Sequence, residues 1–159
     1  MKNRIEKEKY QKRLLNNQGI KILLAGHPYN LYDSLIGKPI TKYLTENDIT
    51  TIYSDRIPHT LIDSEAEQLS TDINWTHSKE LVASINYYKD KVDGIILISS
   101  FPCGPDSLSN ELILHKIKNI PVITLIFEDL NSDVGIITRL ESFIDILKNI
   151  KEKRHEKNN

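Results

Sequence analysis

Along the chain, apolar positions recur alternately with the period of a strand and with that of a helix. Ile20 to Ala25 is a short apolar run, β-branched at its start, with one lysine inside it and Gly26 at its end, which predicts a first strand. A turn-rich loop from Gly26 to Asp33 follows. Ile36, Ile40, Tyr43 and Leu44 then fall at helical spacing, with Pro39 tolerated in the first turns. Ile49 to Tyr53 predicts a second short strand. The acidic stretch from Arg56 to Trp75 reads as irregular, with one helical turn near 65–69, and Leu81, Val82, Ile85 and Tyr88 mark an amphipathic helix over 78–88.

Ile95 to Ile98 is almost continuously apolar, the pattern of a strand covered on both faces in a parallel sheet. A helix is expected from about Asp106 to Ile117. Pro121 opens a fourth apolar run, Val122 to Phe127, and after the loop 128–133 the residues Ile137, Leu140, Ile144 and Leu147 form one helical stripe. Strand and helix thus alternate four times with short connections. The expected fold is α/β, a four-stranded parallel sheet in the flavodoxin-like order 2-1-3-4 with helices on both faces. Residues 19–150 form the single domain, preceded by a charged helix or extension over 1–18 and followed by a disordered basic tail over 151–159. Only these charged ends look dispensable.

Charge sharpens this division. The formal net charge is −1, yet residues 1–18 carry six basic and two acidic groups and residues 148–159 carry five and two. Subtracting these from totals of 21 and 22 leaves 10 basic against 18 acidic groups in residues 19–147, a body at −8. An acidic body repels phosphate backbones, so no nucleic-acid partner is expected. The longest apolar runs fall far short of the roughly 20 residues that span a bilayer, and the N-terminal stretch lacks the apolar segment of a secretory signal. The one cysteine, Cys103, excludes an internal disulfide and suits a reducing cytoplasm.

In an open parallel sheet, ligands gather beyond the carboxyl ends of the strands, at the switch point between the first and third. Cys103 follows the third strand and precedes a helix N-terminus, a setting that favours thiolate; its other reading is a small buried apolar residue. His27 in the first loop is an acid/base or hydrogen-bonding group, or a histidine that satisfies loop carbonyls. Tyr29 and Tyr32 wall a pocket or pack the loop. Asp106 is a ligand contact or the N-cap of its helix, and Glu128 and Asp129 are a base or metal ligand, or solvated loop acids. No phosphate-cradling glycine motif occurs, which excludes a dinucleotide site of the usual type. His59 and His77 stand at no recognisable zinc spacing from Cys103.

Four stretches carry a resemblance: KILLAGHPYNLYDSLIGKPI, INWTHSKELVASINYY, DGIILISSFPCGPDSLSNELI and TRLESFIDIL. Together they resemble the C-terminal domain of the acyl-CoA dehydratase activase-related proteins, which belong with the 2-hydroxyacyl-CoA dehydratase D-component family. The resemblance covers about residues 20–148. It implies an anaerobic setting in which family dehydratases hold a 4Fe–4S cluster on cysteines and remove water from 2-hydroxyacyl-CoA by a one-electron route, with ATP-driven activases supplying the electron. By position Cys103 matches the family's cluster cysteine, while His27, Tyr29, Asn30 and Asp106 match neighbouring loop residues; Glu128 joins them as a ligand-binding candidate.

Two departures qualify what is expected. Pro102 stands where the family has glycine, and the preceding cysteine-bearing domain of the relatives has no counterpart here. A cubane cluster takes four thiolates. The expectation is therefore a subunit without catalysis of its own, sharing a 4Fe–4S cluster with a cysteine-containing partner or a second copy. The alternatives are a metal-free module for acyl-CoA or another small ligand, a structural interaction domain and, last, a thiol enzyme with Cys103 as nucleophile.

Overall fold

A computed structural model describes residues 2–69, 76–100, 114–127 and 133–158. The sheet has four parallel strands, β1 (Lys21–Ala25), β2 (Thr50–Tyr53), β3 (Gly94–Ser100) and β4 (Val122–Phe127), in the order β2-β1-β3-β4. This is the expected flavodoxin-like order. The helices are α1 (Lys2–Leu14), α2 (Pro28–Leu31), α3 (Gly37–Glu46), α4 (Ile62–Leu69), α5 (Thr76–Tyr88) and α6 (Asp133–Asn158), with 3-10 turns at Ser54–Arg56 and His59–Leu61. Residues 114–116 are also helical.

Strand periodicity sorts the core into two layers, because successive side chains point to opposite faces. Ile22 and Leu24 of β1 join Ile96 and Ile98 of β3 on one face, where α3 contributes Ile40 and Leu44, and α6 contributes Leu140, Ile144 and Leu147. Leu23, Ala25, Ile95 and Leu97 face the other way, against Leu81, Val82 and Ile85 of α5 and Ala66 of α4. Each fully buried aliphatic side chain contributes about 1.5–3 kcal/mol, so the central pair β1–β3 anchors the fold.

Three expectations about the connections change. The stretch after β2 is more regular than its acidity suggests: α4 spans eight residues and packs on α5, helped by a Lys79–Asp63 bridge of 2.6 Å. The first loop contains a short helix, α2, opened by Pro28, whose fixed φ suits a first helical position. The C-terminal stretch 151–158 is helical rather than a disordered tail. Helix α6 runs for 26 residues, about 39 Å, and its lysines, glutamates and arginines are good helix formers. Lys151 reaches back to the Gly19 carbonyl and lies 3.8 Å from Asp93, while residues 152–157 stand in solvent.

The N-terminal segment is docked. Its anchor is Gln11, buried in a helix of otherwise charged character. The amide Nε2 donates to the Tyr53 carbonyl at 2.8 Å, and Oε1 accepts from the Tyr53 N–H at 2.9 Å. The same Nε2 donates to the Tyr88 hydroxyl at 2.8 Å. One side chain therefore pairs both outward backbone groups of Tyr53, as a neighbouring strand would. Arg4 adds bonds to Glu80 at 3.1 Å and to the Ile57 carbonyl at 3.3 Å.

Candidate functional site

The carboxyl ends of β1 and β2 are drawn together by one hydroxyl. Ser54, buried after β2, accepts from the Gly26 N–H and donates to the Gly26 carbonyl, each at 3.3 Å. Gly26 is required by close approach: a Cβ there would stand 2.7 Å from the Ile98 carbonyl oxygen of β3. The first loop thus leaves the sheet at the crevice between β1 and β3, the switch point of a doubly wound sheet.

From that point α2 rises. The His27 carbonyl accepts from the N–H groups of Asn30 and Leu31 at 2.9 and 3.0 Å, which winds the loop into its helical turn. The His27 ring lies parallel to the Tyr29 ring, 9° between planes and 5.2 Å between centroids, with Tyr29 60% exposed. Asn30 is 1% exposed, and among the described residues its Nδ2 has no hydrogen-bond partner. An unpaired buried amide costs about 1–3 kcal/mol, so this residue is a candidate for contact with something outside the chain.

Asp33 then closes the loop: its Oδ1 accepts from the N–H of Leu35 at 2.7 Å and of Ile36 at 3.0 Å, in the manner of an Asx turn. Gly37 begins α3 directly against the Leu31 carbonyl, where no Cβ would fit.

A second aromatic pair flanks the first. Tyr32 and Tyr53 stack with centroids 5.5 Å apart, Arg56 lies 4.3 Å over the Tyr53 ring, and Lys7 of α1 lies 5.7 Å from the Tyr32 centroid. The Tyr32 hydroxyl donates to the Asp55 carboxylate at 2.9 Å. Partial burial raises the Tyr32 pKa to about 12, and the neighbouring Asp55 charge adds to the shift, so Tyr32 is a hydrogen-bond donor at neutral pH. The crevice lined by Gly26, His27, Ser54, Asp55 and Glu80 has a volume of about 10 Å³, at the lower limit for one water. Farther out, between α3 and β2, lies a shallow groove of about 420 Å³ along Tyr32, Lys38, Thr41, Lys42 and Tyr53.

Of the residues singled out from sequence, the structure brings His27, Tyr29 and Asn30 onto one turn beyond β1. Cys103, Asp106 and Glu128 lie outside the described residues, as does Trp75. Among the described residues, no three His, Cys, Asp or Glu side chains gather where they could hold a metal ion. Likewise, no described helix is long and apolar enough to cross a membrane. Ser54, Asp33 and Asp55 are structural partners of the site that sequence reading missed. For Asp33 a signal existed in its place in a turn-rich loop just ahead of a helix. For Ser54, nothing local announces a bond to a residue 28 positions earlier.

Comparison with protein-family models, with curated proteins and with solved structures finds no match to this chain. Function is therefore argued from the loops and their chemistry.

Proposed function

We propose that this chain is a cytoplasmic partner subunit of the 2-hydroxyacyl-CoA dehydratase and activase-related type, without catalysis of its own. Two motifs carry the proposal: G-H-P-Y-N directly after β1, and S-F-P-C-G-P-D-S, which starts at the last residue of β3. β1 and β3 are neighbours in the sheet, and each motif begins at the carboxyl end of one of these strands.

The residues do not fit a complete 4Fe–4S cluster. Four thiolates are needed and the chain has one, so any cluster requires cysteines from a second chain, and no reaction step is assigned to it. What this chain supplies in such an assembly is the Cys103 thiolate and a rigid first loop held by Ser54, Asp33 and Gly37. The test is anaerobic co-expression with a cysteine-containing protein encoded nearby, followed by iron analysis and absorption spectroscopy. Iron that co-purifies with both chains and is lost in Cys103→Ala supports the proposal. Absence of iron in every combination, with Cys103→Ala indistinguishable from the parent, removes it.

A second reading, a metal-free module for a small ligand such as an acyl-CoA, is favoured by one observation. The buried Asn30 Nδ2, without a partner among the described residues, stands on the same turn as the stack of half-buried His27 and exposed Tyr29. Calorimetry with CoA esters in aerobic buffer separates the two, since binding that persists in Cys103→Ser and fails in Asn30→Ala supports only the second.

A further inference from the structure

Among the described residues, the outer edge of β4 meets no further strand. The Ile95 N–H donates to the Pro121 carbonyl at 3.0 Å, and strand alternation then turns Ile123, Leu125 and Phe127 toward β3. Val122, Thr124 and Ile126 consequently direct their N–H and C=O groups away from the sheet. The bond from Arg139 of α6 to the Thr124 carbonyl, 3.0 Å, confirms that direction. Among the described residues no strand lies beyond β4. The run from Asn119 to Phe127 contains no charged residue and, after Pro121, none of the proline or lysine that usually blunts an edge. Ile126 is 49% exposed, and the Thr124 hydroxyl is buried without a hydrogen-bond partner.

We propose that this edge pairs with β4 of a second copy of the chain, antiparallel across a two-fold axis at Thr124. The outward residues are symmetric about that point. Thr124 would face Thr124 of the other copy, and Val122 would face Ile126, a β-branched cross-strand pair of a favourable kind. A strand free of charge meets its own copy without like-charge repulsion. Arg139 is the guard in the isolated chain, since its guanidinium occupies the central carbonyl and must leave before the strands join.

The pairing has a geometric consequence. Antiparallel β4 strands place the carboxyl ends of the two sheets at opposite ends of a continuous eight-stranded sheet. The carboxyl ends of the two β3 strands would then point in opposite directions, so this interface is independent of the cluster-sharing proposal and each can fail alone.

Sedimentation of the full chain from about 1 to 200 µM tests the interface. The expected result is a concentration-dependent dimer, with Thr124→Pro monomeric and unchanged in far-UV circular dichroism, because only an outward N–H is removed. Arg139→Ala should dimerise about tenfold more tightly, the loss of one competing charged hydrogen bond. Should Thr124→Pro misfold, Ile126→Lys provides the second disruption, and slowed amide exchange at Thr124 and Ile126 in the dimer locates the contact. A parent chain and Arg139→Ala variant that both stay monomeric at 200 µM would overturn the proposal. So would a dimer untouched by both disruptions, open-ended aggregation in place of a dimer, or pairing of this edge with a different protein only.

Discussion

The two edges of the sheet are built on opposite terms. At β2, a helix that precedes the domain lays a buried glutamine against Tyr53 and satisfies both outward backbone groups with one amide. Asn17, just past that helix, reaches the Thr50 hydroxyl at 3.4 Å. At β4 the only comparable contact among the described residues is the Arg139 bond to one carbonyl, made by a flexible, solvated side chain. A closed edge depends on a polar group fixed in place, and an open one on a cation that can leave. A charged N-terminal helix can thus be a structural part of a fold, while an apolar strand forms the margin of the described sheet.

The largest effect is expected from Gln11→Ala, which strands the Tyr53 N–H and C=O and takes a partner from the Tyr88 hydroxyl. Urea unfolding should show a loss of about 2–3 kcal/mol, or roughly 4–12 °C in Tm. A loss below about 0.5 kcal/mol would mean that the helix does not seal the edge.

Tyr88→Phe should cost less, about 1 kcal/mol, because it removes the bond from Gln11 and the weaker one to the Arg56 carbonyl at 3.3 Å. It also has a pH signature. Burial in the layer beneath the sheet raises the Tyr88 pKa to about 12. The unfolded chain therefore releases this proton near pH 10, while the native chain keeps it until about 12. The contribution is complete below pH 10 and is lost as pH rises from 10 to 12. Denaturation midpoints across that window should fall less steeply in Tyr88→Phe, with Tyr32 accounting for part of the fall that remains. Equal slopes in the two proteins would show that the buried hydroxyl is not the group responsible.

At the other margin, Arg139→Ala should change the stability of the monomer by only about 0.5 kcal/mol, as expected for an exposed contact. The smallest change should come at the turn ahead of β2, where Asp48 takes φ of 58°. Asp48→Gly relieves a left-handed backbone at some cost in unfolded-chain entropy, so a gain of a few tenths of a kcal/mol is expected in the same urea assay. A clear loss would indicate that the aspartate side chain holds the turn.

Much of the architecture was legible in the order of residues. The run Val122–Phe127 is the fourth strand to the residue, and the continuous apolarity of Ile95–Ile98 announced a strand covered on both faces. The stripe of α6 was legible as well, although Ile136 and Phe143, both buried, belong to it and Ile137 is only partly covered. Of the candidate site, the turn bearing His27, Tyr29 and Asn30 was legible as a loop beyond the first strand. Its internal helix was not, because a four-residue helix carries too little periodicity to register.

The alternation of strand and helix, and with it the sheet order, follows from residue order alone, since burial of an apolar face is a local, periodic demand that repeats along the chain. Three features emerge only once the chain is folded: Gln11 is interior, Ser54 binds Gly26, and α6 continues as a helix past the end of the sheet. The first two depend on hydrogen-bonding groups 42 and 28 positions away, and a polar side chain has no periodic signature to say which distant backbone group it will satisfy. The third depends on helix formers that a disordered tail would equally contain, so composition leaves open what an adjoining folded turn settles by propagation.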